Sequence, residues 1–214
     1  MALFDGLAHR YDAWFDGDEG RLIFEIELAA IRATAQVAPR PWLEVGVGSG
    51  RFAAALGINV GIDPSEKLLE IARGRGVDTI REYGEHLSFA DNSFGAVFMI
   101  VTICFVDDPL PVLRECHRVL YPDGKLIVGL VPRESAWGEK YTVEGQRGHP
   151  FYSHAKFYTV SEIESLLEKA GFYSRRCVST LFHPPGRTVE YEAPKEGCDP
   201  EAGFVTFIAQ KRKR

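Results

Sequence analysis

The sequence lacks the features that mark several specialised classes of protein. Its four cysteines form no C-x-x-C pair, so we expect neither a disulfide framework nor a metal site, and we infer a reduced, cytoplasmic setting. No window is long and apolar enough to span a membrane, and residues 1–14 contain no apolar core of the signal-peptide type. These absences favour an ordinary globular protein.

A large excess of charge of either sign is also missing. The 25 basic and 30 acidic residues leave a net charge of −5, which does not favour a broad surface for nucleic acid. The basic segment Lys211–Arg214 is interpreted as a solvated tail. We therefore expect no nucleic-acid or membrane partner, and we make no prediction of oligomeric state. The 214 residues are interpreted as a single domain, 1–214, with its own core.

The segment from Leu43 to Phe52 is the most informative part of the chain. Hydrophobic residues before Gly46 predict a buried strand, three glycines follow at two-residue steps, and residues 51–56 predict a helix that ends at Gly57. A strand, a glycine-rich turn and a helix start form a nucleotide-type pocket at the carboxyl end of the strand. Glycine is favoured there because a β-carbon would keep the ligand away from the backbone.

Two acidic residues near this turn favour one type of ligand over another. Glu44 precedes the glycines and would repel the pyrophosphate of a dinucleotide, whereas it would suit an amino group or a positive centre. Asp63 ends a second apolar run, where a carboxylate can accept hydrogen bonds from ribose hydroxyls. The alternative is a structural turn with two structural carboxylates.

Helical and extended patterns alternate along the rest of the chain. Asp63–Pro64 and Asp108–Pro109 each predict a helix N-cap followed by proline, and Thr159–Glu162 fits a capping box. The unbroken apolar run Ala96–Val101 predicts a strand that is buried on both faces. This alternation indicates an α/β fold with a mainly parallel sheet. The last two strands lack a helix between them, so we expect them to pair antiparallel.

Four short motifs occur in order along the chain. They are E-x-G-x-G-x-G at Glu44–Gly50, G-x-D-x-S at Gly61–Ser65, a segment similar to A-E-x-L-P-F-x-D-x-S-F-D at Gly84–Gly95, and one similar to L-x-E-x-x-R-V-L-x-P-G-G at Leu113–Gly124. Each is weak alone, but together they make most of the chain resemble a class I S-adenosylmethionine-dependent methyltransferase. The likeness is closest to the type 11 small-molecule branch, which includes quinone-biosynthesis methyltransferases.

This resemblance implies both the fold and the ligand. The fold would be a Rossmann-like three-layer sandwich, whose mostly parallel seven-stranded sheet has the order 3-2-1-4-5-7-6, with strand 7 antiparallel. S-adenosylmethionine would be the cofactor and S-adenosylhomocysteine the product. The cofactor-binding residues that the resemblance implies are Tyr11, Glu44, Gly46, Gly48, Gly50, Asp63, Pro64, Gly84, Glu85 and Thr102.

Each part of the cofactor has an expected neighbour in that set. The three glycines would adjoin the methionyl part and the ribose, with Glu44 holding the ammonium group directly or through water and Asp63 taking the ribose hydroxyls. Gly84–Glu85 would line the adenine side, and Thr102 would face the methyl region. The chain departs from the family pattern at Tyr83, where an adenine-binding Asp is often found.

The acceptor side is predicted from the aromatic segment 131–158. No catalytic triad is recognisable, and none is required, because methyl transfer from a sulfonium depends mainly on positioning for in-line attack. The segment is long for a connection and is predicted to form a substrate-side lid with the start of the N-terminal cap and helix at 1–37. His149 and His154 within it are weak candidates for a general base. The alternative is a structural insertion whose aromatic rings cover the sheet.

Two other functions remain beside methyl transfer to a small molecule. A non-catalytic sensor of S-adenosylmethionine or S-adenosylhomocysteine could carry the same motifs, and an NAD-dependent oxidoreductase uses a similar strand–turn–helix unit. Glu44 and the antiparallel final strands argue against the oxidoreductase. Glu25 and Glu27 are predicted to lie on the solvent-exposed face of a helix, and Cys104 is predicted to be a small packing residue.

Overall fold

The computed structural model describes residues 4–36, 38–187 and 190–212 of the chain. The α-helices in these ranges are α1 (Ala8–Trp14), α2 (Asp18–Ala35), α3 (Arg51–Leu56), α4 (Glu66–Gly74), α5 (Pro109–Val119), α6 (Ala136–Gln146) and α7 (Val160–Lys169). The strands are β1 (Trp42–Val45), β2 (Val60–Asp63), β3 (Asp78–Arg81), β4 (Phe94–Ile100), β5 (Leu120–Leu130), β6 (Phe172–Thr180), β7 (Lys195–Glu196) and β8 (Phe204–Lys211). Val37, in the predicted N-terminal segment, and the end of the basic tail lie outside the described residues.

One mixed sheet organises the molecule, in the order β3-β2-β1-β4-β5-β8-β6-β7. The first five strands in this order are parallel, and β8 is antiparallel to both of its neighbours. The predicted α/β sandwich is confirmed, including the antiparallel seventh strand, here β8. The predicted count of seven strands is wrong, because the two-residue strand β7 extends the edge beyond β6.

The extra strand accompanies a second departure from the sequence prediction. Cys177 of β6 and Cys198, just after β7, form a disulfide with their Cα atoms 5.1 Å apart. The prediction of no disulfide was therefore wrong. It was based on spacing along the chain, whereas antiparallel pairing of Val178 with Glu196 brings two distant cysteines together. Cys104 and Cys116 are free and buried, as packing residues are.

Helix ends follow the predicted capping patterns with one exception. Asp108 caps α5 through a hydrogen bond from Leu110 N, and Thr159 and Glu162 form the predicted capping box of α7. The predicted cap at Asp63 is wrong, because the side chain of Ser65 caps α4 instead. Asp63 is the last residue of β2, and its carboxylate is directed to other partners.

Two hydrophobic layers cover the sheet, one on each face, and both include residues of the central strand β4. All seven residues of that strand are buried, as its apolar sequence predicted. Helix α2 packs against β5, β6 and β8, and Glu27 lies on its buried side with 6% of its surface exposed. The prediction that Glu27 faces solvent was therefore wrong, whereas Glu25 is exposed.

The predicted lid segment 131–158 is more regular than its sequence suggested. It contains α6, which is capped by Ser135, and a short 3-10 turn at Tyr152–His154. Gly138 and Gly145 allow close approach, because a β-carbon at these positions would collide with the backbone at Pro132 and Tyr152. Of the helices described, none combines the length and apolar character needed to cross a bilayer.

Candidate functional site

A cavity of about 420 Å³ opens at the carboxyl ends of β1, β2 and β4. Parallel strands bring their ends together at this edge, where α/β sheets bind ligands. The predicted cofactor residues that line the cavity are Tyr11, Gly46, Gly48, Asp63, Pro64, Gly84, Glu85 and Thr102. The other two, Glu44 and Gly50, do not line it.

The glycine loop between β1 and α3 forms the floor of the cavity. Gly46, Gly48 and Gly50 all have positive φ angles, of 75°, 53° and 77°, which are unfavourable for residues with a side chain. A β-carbon at Gly48 would meet only a ring carbon of Tyr11, at 3.9 Å, and would occupy the cavity side of the loop. A β-carbon at Gly50 would collide with Ala72 instead, so this glycine serves the packing of α3 on α4.

Asp63 is fixed beside the glycine loop by two backbone groups. Its Oδ2 accepts a hydrogen bond from Gly48 N at 3.0 Å, and its Oδ1 accepts one from Ser65 N at 2.8 Å. Burial raises the pKa of Asp63 to about 6, against the lowering effect of these two hydrogen bonds. Because a carboxylate can accept about four hydrogen bonds, each oxygen can still accept from a ligand hydroxyl.

Glu44 lies behind the loop, away from the cavity. It is 2% exposed, one carboxyl oxygen accepts from Ala53 N of α3, and the other, Oε2, is buried without a hydrogen bond. Burial, with a smaller effect from the charge of Asp63, raises the pKa of Glu44 well above its usual range. Oε2 of Glu44 could therefore interact with a ligand only through a bridging water, which is one of the two ways in which Glu44 is expected to hold the ammonium group.

The charge of the cavity wall has one sign. The acidic residues that line it are Asp63, Glu82, Glu85 and Asp107. The described part of the chain contributes no Lys or Arg side chain to this wall. A cavity of this kind favours a ligand with positive charge and disfavours a pyrophosphate. Tyr83, at the position of the missing adenine-binding Asp, also lines the wall and is 65% exposed.

The end of β4 carries the strained backbone of the site. Val101 has a φ of 50°, which is rare for a β-branched residue and is typical of functional sites. The next residue, Thr102, braces the glycine loop, because its Oγ1 lies 3.2 Å from Gly46 O and 3.0 Å from Ile100 O. A β-carbon at Gly46 would collide with this side chain, so the loop and the end of β4 fit each other closely.

Aromatic rings from the two predicted lid segments meet over the cavity. Phe151 contacts Phe4 and Tyr11 with ring centroids 5.9 Å and 5.7 Å apart, and Phe4 contacts Phe105 at 5.1 Å. Phe4, Tyr11 and Phe105 line the cavity directly. Residues 4–19 and 131–158 are therefore brought together, although their action as a lid remains a prediction.

Helix α1, which carries Tyr11, is attached to the glycine loop by charged groups. Asp12 accepts hydrogen bonds from Arg51 and Arg75, and Arg75 also donates to Ser49 O at 2.7 Å. Burial alone would raise the pKa of Asp12, but the hydrogen bonds from the two arginines outweigh it and lower the pKa to about 2. This attachment holds Tyr11 over Gly48.

The two candidate histidines have different surroundings. His154 lines the cavity and is exposed. The Nδ1 atom of His149 accepts from Phe151 N and Tyr152 N at 3.4 Å, and its ring stacks on Tyr152 at 4.4 Å, outside the cavity wall. Burial raises the pKa of the Cys104 thiol to about 12, as expected for a packing residue. The described residues contain no group of side chains suited to a metal ion.

Some lining residues were missed by reasoning from the sequence. Phe105, Val106 and Asp107 follow β4 and line the cavity, and none of them was among the predicted site residues. The signal that could have found them is positional, because residues just after a central parallel strand lie at the ligand-binding edge. The predicted strand Ala96–Val101 already placed them there.

Comparison with known proteins gives a consistent result along nearly the whole chain. A family model described as a methyltransferase domain matches residues 43–128. An uncharacterised protein of Mycobacterium tuberculosis is 44% identical over 205 residues, which cover 94% of this chain and 71% of that protein. A ubiquinone biosynthesis O-methyltransferase of Pseudomonas aeruginosa is 27% identical over 209 residues, which cover 86% of this chain and 87% of that enzyme.

The similarity extends to a solved structure. An S-adenosylmethionine-dependent methyltransferase from Thermotoga maritima, described as a possible histamine N-methyltransferase, is 39% identical in sequence. The superposition covers 98% of both chains with a TM-score of 0.90. The similarity to this methyltransferase in sequence and in fold therefore extends from the N-terminal helices of the chain to its last strand.

Proposed function

The chain belongs to the class I S-adenosylmethionine-dependent methyltransferases, and on that premise we propose that its cavity binds S-adenosylmethionine and presents the methyl group to a small-molecule acceptor. The observation that carries this proposal is the single sign of charge on the cavity wall. Four carboxylates and no Lys or Arg line it among the described residues. S-adenosylmethionine has a positive sulfonium and no phosphate, so it suits this wall, whereas the pyrophosphate of NAD would be repelled.

The residues present fit the parts of this cofactor. Asp63 has the free acceptor capacity and the position for a ribose diol, and Gly48 leaves the space that a β-carbon would fill. Gly84 and Glu85 would lie beside the adenine. A β-carbon at Gly84 would lie 2.8 Å from a methyl carbon of Val112, so a larger residue would not fit against Val112 at this part of the cavity wall. Glu44 would act from behind the loop.

The acceptor would enter at the aromatic end of the cavity. Thr102, Phe105 and Tyr11 line that end, and the rings of Phe4 and Phe151 cover it. When bound, S-adenosylmethionine supplies an electrophilic methyl group on sulfur. The contribution of the chain is to orient the acceptor and to exclude water, which can supply much of the rate of an in-line displacement. His154 remains a candidate base on the cavity wall.

Calorimetric titration with S-adenosylmethionine, S-adenosylhomocysteine and NAD tests the proposal. We expect micromolar binding of the two sulfur ligands and none of NAD. Asp63→Asn should weaken the sulfur ligands at least ~10-fold, since a charge-assisted hydrogen bond is lost. Asp78→Asn, an exposed change on the neighbouring strand β3, is the matched control and should bind normally.

Turnover separates the enzyme from a non-catalytic sensor. Release of S-adenosylhomocysteine should be measured with a panel of amines, phenols and thiols as methyl acceptors. Tight binding of both sulfur ligands without turnover of any acceptor would favour the sensor. Binding of NAD alone would contradict the proposed cofactor.

A further inference from the structure

The two sulfurs of the Cys177–Cys198 disulfide differ in their surroundings. Cys198 lines a surface cleft of about 450 Å³, together with Ser179, Lys195 and Asp199. Cys177, by contrast, belongs to the hydrophobic core, with 7% of its surface exposed. Thiol–disulfide exchange requires a thiolate to reach one sulfur of the bond. The cleft therefore makes Cys198 the sulfur that an external thiol can attack.

The attacking thiol must come from another molecule. The chain has four cysteines, and the two outside the disulfide, Cys104 and Cys116, are buried. Burial raises the pKa of both thiols to about 12, so both stay protonated near neutral pH. Because the thiolate is the nucleophile in exchange, neither of them attacks the disulfide.

The disulfide closes the connection between β6 and β8, which contains the edge strand β7. Strand β7 pairs with β6 at two residue positions. Beside this pairing, Gly197 N donates to Cys177 O at 2.9 Å, and Ser179 Oγ donates to Gly197 O at 2.6 Å. A segment held by a few hydrogen bonds at a sheet edge opens at low cost in free energy. The covalent bond from Cys198 to β6 therefore adds substantially to the stability of this connection.

The same connection supports α6, the helix of the predicted lid segment. Nε1 of Trp137 in α6 donates a hydrogen bond to His183 O at 2.7 Å, and a β-carbon at Gly203 would collide with this indole ring. His183 follows β6 and Gly203 precedes β8. Trp137 is 2% exposed, so its ring is packed against both ends of the connection that the disulfide closes.

Helix α6 in turn contacts the 3-10 turn beside the cavity. The rings of Tyr141 and Tyr152 are stacked with their centroids 4.3 Å apart, which joins the helix to this turn. His154 of the turn lines the cavity, and Phe151 just before the turn contacts the ring of Phe4 at 5.9 Å. A series of direct contacts thus leads from the disulfide-closed connection to the acceptor end of the cavity.

We propose that Cys177–Cys198 is a thiol-responsive switch, in which a small thiol such as glutathione attacks Sγ of Cys198 and the opening of the bond loosens the support of α6. The incoming thiolate forms a new disulfide with Cys198, and Cys177 leaves as a thiolate that takes a proton from water. A second thiolate attacks the sulfur of the bound small thiol, so that Cys198 is released and protonated. Two small thiols are thereby oxidised to one disulfide, and the protein disulfide is reduced to two thiols.

Two single variants test which sulfur exchanges. Cys177→Ser leaves Cys198 as a free thiol at the cleft, and Cys198→Ser leaves Cys177 as a free thiol in the core. Each folded variant is mixed with oxidised glutathione, and the fraction that carries glutathione is followed by mass spectrometry. Cys198 should react at least ~10-fold faster than Cys177. In concentrated urea, where both thiols are exposed, the two rates should agree within about 2-fold.

Hydrogen exchange of the whole chain tests the effect on α6, without any substitution. After glutathione has reduced the disulfide, the peptide that spans residues 136–146 should exchange roughly 3-fold or more faster than in the oxidised protein. The internal control is the peptide that spans 66–74, because α4 packs at the other end of the sheet, on β2 and β3. The double variant Cys177→Ser, Cys198→Ser should match the reduced protein and should not respond to glutathione.

Three results would overturn the inference, which does not depend on the proposed reaction. They are a disulfide that glutathione leaves intact in the folded protein, equal rates for Cys177 and Cys198 in the folded variants, and exchange in α6 that is unchanged by reduction. Cofactor binding enters none of these measurements, so a failure of the proposed function would be recognised separately.

Discussion

The Oδ1 atom of Asp12 accepts a hydrogen bond from Nε of Arg51 at 2.7 Å, and this contact joins α1 to the start of α3. Both side chains are largely shielded from water, with 15% and 18% of their surfaces exposed. Arg51 also donates from Nη2 to Oδ2 of Asp12 at 3.1 Å, and Arg75 adds a third hydrogen bond to the same carboxylate at 2.8 Å. The pair connects a residue that covers the cavity, Tyr11, with the loop that forms its floor.

Asp12→Asn should destabilise the protein and weaken the attachment of α1, which holds Tyr11 over the cavity. The pKa of Asp12 is lowered to about 2 from 3.8, so its stabilising effect is present above pH ~4 and is lost as the pH falls through about 2. After allowance for solvent screening, we expect a loss of about 1–2 kcal/mol at pH 7 and a melting temperature lower by roughly 2–8 °C. Asp18→Asn, in an exposed pair with Arg21, should change the melting temperature little.

Gly48→Ala should weaken cofactor binding by filling the cavity floor. We expect S-adenosylmethionine affinity to fall roughly 10-fold or more in calorimetry. Gly57→Ala is the matched control, because Gly57 also has a positive φ, of 69°, but lies at the end of α3 outside the cavity wall. Both changes should lower stability through backbone strain, and equal affinities in the two variants would contradict the proposed position of the ligand.

The affinity for S-adenosylmethionine should fall in mild acid. Burial raises the pKa of Asp63 to about 6, and a protonated carboxyl accepts hydroxyl hydrogen bonds poorly. Affinity should be constant between about pH 7 and 8 and fall by up to ~10-fold per pH unit below pH ~6, as measured by titration at several pH values. Asp63→Asn should bind weakly at every pH, with a much flatter profile. A wild-type affinity that does not change with pH would contradict the assignment of Asp63 to the ribose site.

Glu27→Gln should stabilise the free protein in alkaline solution. The folded pKa is about 8, against 4.5 for the exposed group, so the unfolding free energy of the wild type falls as the pH rises from ~4.5 to ~8. Urea unfolding should give a gain on the order of 4 kcal/mol at pH 8.5 and little change near pH 5. Glu25→Gln should show no such dependence.

Reduction of the Cys177–Cys198 disulfide should destabilise the sheet edge. The two residues are 21 positions apart, and closing a loop of about this size stabilises the folded state by about 3 kcal/mol. Melting curves with and without reductant should differ by roughly 6–12 °C in the wild type. The double variant Cys177→Ser, Cys198→Ser should melt at one temperature in both conditions. An identical shift in that variant would show that the reductant acts elsewhere.

The central sheet was predictable because its signals are local. The apolar run at Ala96–Val101, the glycines after β1 and the acid after β2 each occupy one short stretch of chain. Parallel topology then places their carboxyl ends at one edge. Eight of the ten cofactor residues implied by the resemblance consequently line one cavity.

The errors concern properties that depend on distant partners. Glu27 looks like a surface residue in its own helix, yet α2 turns it toward the sheet. Cys177 and Cys198 are paired by strand register, which no spacing rule encodes. Glu44 and Gly50 are a different case, because their side-chain positions face α3 and α4 and their expected roles in binding the cofactor stay predictions. Three-dimensional packing decided each of these cases.

The double attachment of Asp12 has a kinetic consequence. Tyr11 lies over Gly48, so with the predicted lid action the exchange of a ligand in the cavity would require α1 to move and would break the bonds from Arg51 and Arg75. Opening of this kind often limits turnover in enzymes with covered sites. We therefore expect departure of the spent cofactor to be the slowest step, so that a first turnover outpaces all later ones.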